Sequence, residues 1–396
     1  MRKVLVYSLL LAAGLIGSQL LAGRGQTVIK LLTMFCLAFI ATRIGYGFEL
    51  TRDKPQKYAW DFVVATSTTI FPWLFCTVYF ALAMAPAELW RSRDVWWEAI
   101  LLGRFAAPTS VGLLFSMLAA AGLSATWLYK KARILAIFDD LDTILLFIPL
   151  KILLLSMNLQ LVMLVSVILA LLWAVWKYVH ALPLPVSWPW VMLYSAVIVA
   201  VSEGISRGSK VIDDTASVEI EVLLLAFILG CMLARSPASA DRRELGTETP
   251  REHRITTIVS ACFMALAGLS MPLIEGPSEG AAAAMLGPKG EFPGWGTITI
   301  HVLIITALSN LGKMFPAFCY RREAGRRERL ALAIGMFPRG EVGAGMLVLA
   351  LSYGVAGPAL TVAVLSLALN LVCSGLFVLI IKWLVAPNPR GAPVRA

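Results

Sequence analysis

Asp139 and Asp140 are adjacent carboxylates inside residues 134–157, a stretch that otherwise reads as a membrane-spanning helix. A carboxylate near the centre of a bilayer costs at least about 2.5 to 3.5 kcal/mol, and intramembrane acids mark ion or proton sites by default. Consecutive helical residues project about 100 degrees apart, so one carboxylate can face a pathway while the other meets a fixed partner. Lys313, in Asn310-Leu311-Gly312-Lys313, is the leading counter-charge because it is an ammonium set in a second apolar run. A purely structural salt bridge is the competing reading. Asp142 lies at i+3 from Asp139 and shares its face, either as a third site carboxylate or in a loop-facing or water-exposed structural role.

Two further constellations combine polar residues with helix breakers. Thr109 and Ser110 follow Pro108, which removes a backbone donor and clashes with the preceding turn. Their hydroxyls and the carbonyls exposed by the break are hard oxygen ligands suited to Na+; satisfying the backbone at a proline kink explains them equally well. Met336 to Gly343 reads Met-Phe-Pro-Arg-Gly-Glu-Val-Gly. Arg339 and Glu341 stand at i and i+2, with Gly340 between them, so an unwound segment is expected. They are expected to neutralise each other or the ends of broken helices, with contact between Glu341 and a transported ion as the alternative.

The elements that position these residues follow from composition. The 396 residues are 59% hydrophobic and 15% charged, and the mean hydropathy is +0.80. These values describe a polytopic membrane protein. Apolar windows predict twelve spans at residues 4–22, 27–48, 58–85, 97–122, 131–156, 158–180, 188–206, 217–235, 254–275, 297–320, 329–353 and 357–385. The longest polar stretch is a loop, so no attached soluble regulatory domain is expected. Lys and Arg concentrate in alternate loops, which predicts both termini on the cytoplasmic side. The net charge of +10 is therefore assigned to topology, and no nucleic-acid partner is expected. The six cysteines lie in apolar runs without metal spacing, and they read as packing residues. The fourth and eleventh spans both break in mid-run, at Pro108 and Pro338, inside two triplets of spans. Broken helices at corresponding places are a signature of inverted-repeat transporters.

With these motifs in order, the chain resembles the sodium/proton exchanger family of the cation:proton antiporter superfamily, in its bacterial paired-aspartate branch. The resemblance runs from about Gly47-Phe48-Glu49-Leu50 to the last span. It is carried by Ala107-Pro108-Thr109-Ser110-Val111-Gly112, Asp139-Asp140, Ala226-Phe227-Ile228-Leu229-Gly230, residues 262–269, Gly312-Lys313 and residues 335–343. It implies an all-α fold of about twelve transmembrane helices, built of inverted repeats with two broken, crossing helices. It also implies one transmembrane transporter domain over residues 1–396, with a core at about 58–156 and 297–385 and a dimerisation scaffold at about 4–48 and 158–275. The activity implied is Na+/H+ exchange by alternating access in a homodimer of the bacterial inner membrane, with K+ and Li+ left open as cations. Asp140 would bind Na+ and H+ competitively, Asp139 would pair with Lys313, and Thr109 would lie where the broken helices cross. Two departures stand out: Pro108 precedes the Thr-Ser pair, and Asp142 occupies a place that is commonly small or apolar.

Two other functions compete. Asp139-Asp140-Leu141-Asp142 is loosely similar to the Mg2+-diphosphate clusters of intramembrane prenyltransferases, but the other adjacent pair, Asp213-Asp214, falls on the opposite side by loop charge. A bile-acid-type sodium symporter would lack the paired aspartates with a lysine in the tenth span. A transporter without enzymatic activity or a resident cofactor is the expectation.

Overall fold

A computed structural model describes residues 2–21, 25–46, 55–155, 166, 177–178, 181–212, 222–233, 250–271, 294–352, 355 and 357–386. Of the sequence expectations, the span at 158–180 (apart from 166 and 177–178), the Asp213-Asp214 pair and the start of the resemblance at 47–50 lie outside the described residues.

The described chain is all-α. Its helices are α1 (Arg2–Leu20), α2 (Gln26–Tyr46), α3 (Pro55–Tyr79), α4 (Arg93–Gly103), α5 (Val111–Ala120), α6 (Trp127–Leu155) and α7 (Trp188–Ile212). They continue as α8 (Val222–Met232), α9 (Pro250–Leu269), α10 (Trp295–Gly312), α11 (Arg326–Gly335), α12 (Glu341–Ser352) and α13 (Pro358–Val385). Seven stretches among the described residues are long and apolar enough to cross a membrane, one of them the interrupted run Arg93–Ala120. The chain is accordingly membrane-embedded, because helices that satisfy their own backbone are what a bilayer admits. The outward faces agree: Leu5, Leu9 and Ile16 on α1, Val197 and Val201 on α7, and Leu376 and Trp383 on α13 are exposed apolar side chains. The longest helix, α6 at 29 residues, carries the three aspartates at its centre.

Two packing groups hold the described helices. In the first, α1 lies along α9 and α2 along α8. Gly45 and Gly230 face each other where α2 crosses α8, and a side chain at either would collide with the opposite backbone. In the second, α3 packs on α4, α6 and α10, while α13 packs on α10 and α11. The interrupted run Arg93–Ala120 is almost wholly buried, and its α5 half meets α1, α2 and α9 as well as α6 and α13. The break at Pro108 thus sits in the interior, where its freed backbone groups must find protein partners.

One span end differs from expectation. The tenth span is expected to run through residue 320, but α10 stops at Gly312, and Lys313 is its C-cap, followed by a 3-10 turn at Phe315–Ala317. Pro316 lacks the N–H that a continued helix would need. Lys313 is therefore presented at a helix end rather than from a helix face.

Candidate functional site

Each broken run reaches the centre as a helix, loses its regular geometry, and starts again. After α4, a 3-10 turn (Arg104–Ala106) leads into non-helical residues 107–110. Ser110 then caps α5, its hydroxyl accepting from Leu113 N–H at 3.4 Å. After α11, Met336 ends the helix, and the chain is non-helical until Glu341 opens α12. The two breaks satisfy one another. Ser110 N–H donates to the Pro338 carbonyl at 2.9 Å, and Thr109 Oγ1 donates to the Met336 carbonyl at 3.1 Å.

Asp139 is brought to this junction from α6. It is wholly buried, and its carboxylate is saturated with donors. Oδ1 accepts from Thr69 Oγ1 at 2.6 Å, Lys313 Nζ at 3.0 Å and Thr68 Oγ1 at 3.3 Å. Oδ2 accepts from the Thr109 N–H at 2.8 Å and Lys313 Nζ at 2.9 Å. Lys313, also wholly buried, donates as well to Thr109 Oγ1 at 3.0 Å and to the Ala107 carbonyl. Its approach depends on Gly312, which lies directly on Pro72 of α3, so that a Cβ there would overlap the proline ring and backbone. The ion pair therefore joins α6 and the end of α10 to the break after α4.

Two more carboxylates share this depth. Asp140 is 3% exposed and Asp142 2% exposed. Asp142 Oδ2 accepts from Thr66 Oγ1 at 2.8 Å. Asp142 is thus buried, and the water-exposed reading of it does not hold.

Arg339 is buried and serves carbonyls. Its Nε donates to Ala106 O at 3.0 Å, Nη2 to Ser309 O at 2.8 Å, and Nη1 to Asn310 Oδ1 at 2.9 Å and Phe337 O at 3.4 Å. A guanidinium with five fixed donors suits a point where helices end and carbonyls lose their intrahelical partners. Capping the ends of the broken helices is one of the roles expected for Arg339, and these contacts supply it. The Glu341 side chain lies outside those described.

Four contributors escape the sequence analysis. Thr66, Thr68 and Thr69 project from α3 toward α6, and the run Thr66-Ser67-Thr68-Thr69 inside an apolar helix is a signal that could have found them. Arg104, a lone cation within an apolar run, is 3% exposed and donates through Nη2 to the Thr143 carbonyl of α6 at 3.2 Å. Asp61 and Lys131 are also buried, away from this junction and paired with each other. Lys131 Nζ lies 2.9 Å from Asp61 Oδ1 and 3.1 Å from Glu323 Oε2.

Among the described side chains, Asp139, Asp140, Asp142, Arg104, Lys313 and Arg339 are each no more than 3% exposed. Among the described residues, no three His, Cys, Asp or Glu side chains are grouped to hold a metal ion. A scan against protein-family models finds no match, and a search of curated proteins finds no significant match either.

Proposed function

We propose that this chain is a secondary active monovalent cation:proton antiporter exchanging Na+ for H+ by alternating access. The observation that carries the reading is the buried Lys313–Asp139 pair at the junction of two interrupted helices, with a second buried carboxylate, Asp140, on the next residue. Lys313 gives its hydrogen bonds to Asp139, Thr109 and Ala107. The charge of Asp139 is therefore compensated internally, and Asp140 is the carboxylate assigned to the cargo.

At Asp140 a proton and Na+ compete for the same oxygens, and either adds one positive charge to the centre. The hydroxyls and carbonyls of Thr109, Ser110 and the break around them are hard oxygens at the same junction, suited to complete the shell of a small cation. Lys313 and Asp139 fix the break against α6. Broken helices lining a cavity allow ions to reach membrane depth where irregular backbone is otherwise excluded. Transport then requires that the loaded centre move between two accesses and that the unloaded one not do so.

The same reading takes the full fold as about twelve spans in inverted repeats, with the second packing group as the moving core and the first as the scaffold of a homodimer. It puts the protein in a bacterial inner membrane with cytoplasmic termini, as the basic loops suggest. Na+, or in its place K+ or Li+, together with H+ and the bilayer, are the partners. The test is Asp140→Asn in proteoliposomes. Na+-dependent collapse of an imposed pH gradient is expected to vanish, and undiminished exchange in that variant would remove Asp140 from its role.

A further inference from the structure

We propose that Asn370 of α13, together with Ser366 and Thr306, is a second oxygen site for the transported monovalent cation, built of neutral groups at the depth of the second break. The inference rests on the antiport reading and deepens it. Asn370 is wholly buried in the middle of an apolar helix. Its amide is held one way round, because Nδ2 donates to the Ser366 carbonyl at 3.3 Å and the amide oxygen cannot take that place. Oδ1 is left buried, with no hydrogen-bond partner among the described residues. A polar side chain inside a membrane helix ordinarily bonds across to a neighbouring helix. The Asn370 side chain makes no such bond among the described residues, and a buried acceptor left over in this way costs stability unless a ligand or water meets it.

The contacts of α13 fix where this oxygen points. Ser366 Oγ lies 2.9 Å from Thr306 Oγ1 of α10, and the Phe377 ring meets Phe337 at the second break with centroids 5.4 Å apart. On a helix of 3.6 residues per turn, Ser366, Asn370 and Phe377 fall within about 40 degrees of one another, so Asn370 shares the face turned to α10 and the break. Its depth follows from its neighbours. Leu367 lies over Gly343 and Phe377 against Phe337, so α13 runs opposite to the chain through the second break. α10 runs the same way as α13, with Thr306 beside Ser366 and, one turn on, Ser309 and Asn310 receiving Arg339. Asn370, one turn on from Ser366, is therefore level with the Asn310–Arg339 contact. Asn370 Oδ1, Ser366 Oγ and Thr306 Oγ1 thus line one seam, leading from the Trp295 end of α10 to the depth of the break. Uncharged hard oxygens suit Na+. Without a carboxylate they hold it less firmly than Asp140 does, as a position from which the ion must move on requires.

The experiment measures Na+-driven proton flux in proteoliposomes of the full-length protein over a range of NaCl concentrations, for wild type, Asn370→Leu and Ser366→Ala. Asn370→Leu keeps the branched shape and removes the orphaned oxygen. Its apparent KM for Na+ is expected to rise about tenfold, the order for losing one polar contact to a charge, with the maximal rate within about twofold of wild type. Asn370 takes no proton, so the pH of half-maximal flux, read at the same multiple of each variant's KM, is expected to stay in place. Damage passed on to Asp140, where both ions compete, would move it. A KM unchanged in Asn370→Leu, or one that rises only together with a shift in that pH, overturns the proposal. If Asn370→Leu does not fold, Ser366→Ala decides: a KM raised about threefold at an unmoved pH upholds the site, and an unchanged KM or a moved pH overturns it. A wild-type protein without proton flux driven by Na+, K+ or Li+ overturns the antiport reading itself, and this inference with it.

Discussion

Two buried lysine–aspartate pairs share α6, and they differ in what completes them. Lys131 of α6 meets Asp61 of α3 at 2.9 and 3.2 Å, while Lys313 meets Asp139 of α6 beside the threonines of α3. Around Lys131 the partners are side chains: Asp61, Glu323 and the Tyr320 ring, whose centroid is 4.2 Å from Nζ. Tyr320 donates its hydroxyl to Asp61 at 2.7 Å from a backbone held at φ 57, a left-handed conformation rare for a tyrosine. The group is a closed staple fastening the loop after α10 to α3 and α6. Around Lys313 two of the four acceptors, Thr109 Oγ1 and the Ala107 carbonyl, belong to an interrupted segment, and two further buried carboxylates follow Asp139 within one turn. A buried ion pair is therefore no functional signal on its own. The signal is a pair with further buried carboxylates beside it and an interrupted backbone around it.

The contrast can be broken most directly by Asp140→Asn, for which total loss of Na+-dependent proton flux is expected with the protein still folded. No variant at Asp61 should reproduce that combination. Asp61→Asn should instead act on stability. It strands the buried Lys131 ammonium with less compensation, at about 3 to 5 kcal/mol, read as a lower unfolding midpoint while the surviving protein keeps its cation preference. Lys313→Ala should cost a similar amount by stranding Asp139, and Lys313→Ala with Asp139→Asn should recover much of it. What distinguishes this pair from the staple is that the double variant, although restabilised, should show altered charge movement per Na+, measured as membrane-potential dependence of flux. The smallest effect is expected from Thr69→Val, which deletes the 2.6 Å donor to Asp139. A hydrogen bond to a charged group is worth about 1.5 to 3 kcal/mol, so a modest loss of stability is expected there. A change as large as that of Asp140→Asn would mean that Asp139 is itself the exchanging carboxylate.

Much of the site is legible in the chain because intramembrane charge is expensive. Asp139, Asp140, Lys313 and Arg339 stand out against apolar runs, and prolines announce both breaks. Asp61 and Lys131 are harder to place for one shared reason. They lie toward the ends of apolar runs, where hydropathy alone does not separate a snorkelling side chain from one folded inward. The threonines of α3 carry no charge and so cost little in any window, although they supply three hydroxyl contacts to the aspartates of α6.

The sequence by itself determined that the chain is helical and membrane-embedded, and that two of its helices break, at Pro108 and Pro338. Those properties follow from residue-by-residue transfer costs and from proline, which act locally. Only the tertiary structure decided that the two breaks complete each other through Ser110 and Pro338, and that Lys313 takes Asp139. It alone turned Arg339 onto carbonyls and Asp142 onto Thr66. These choices depend on which helix ends meet in space, and residues separated by 174 or 233 positions acquire neighbours only when the helices pack.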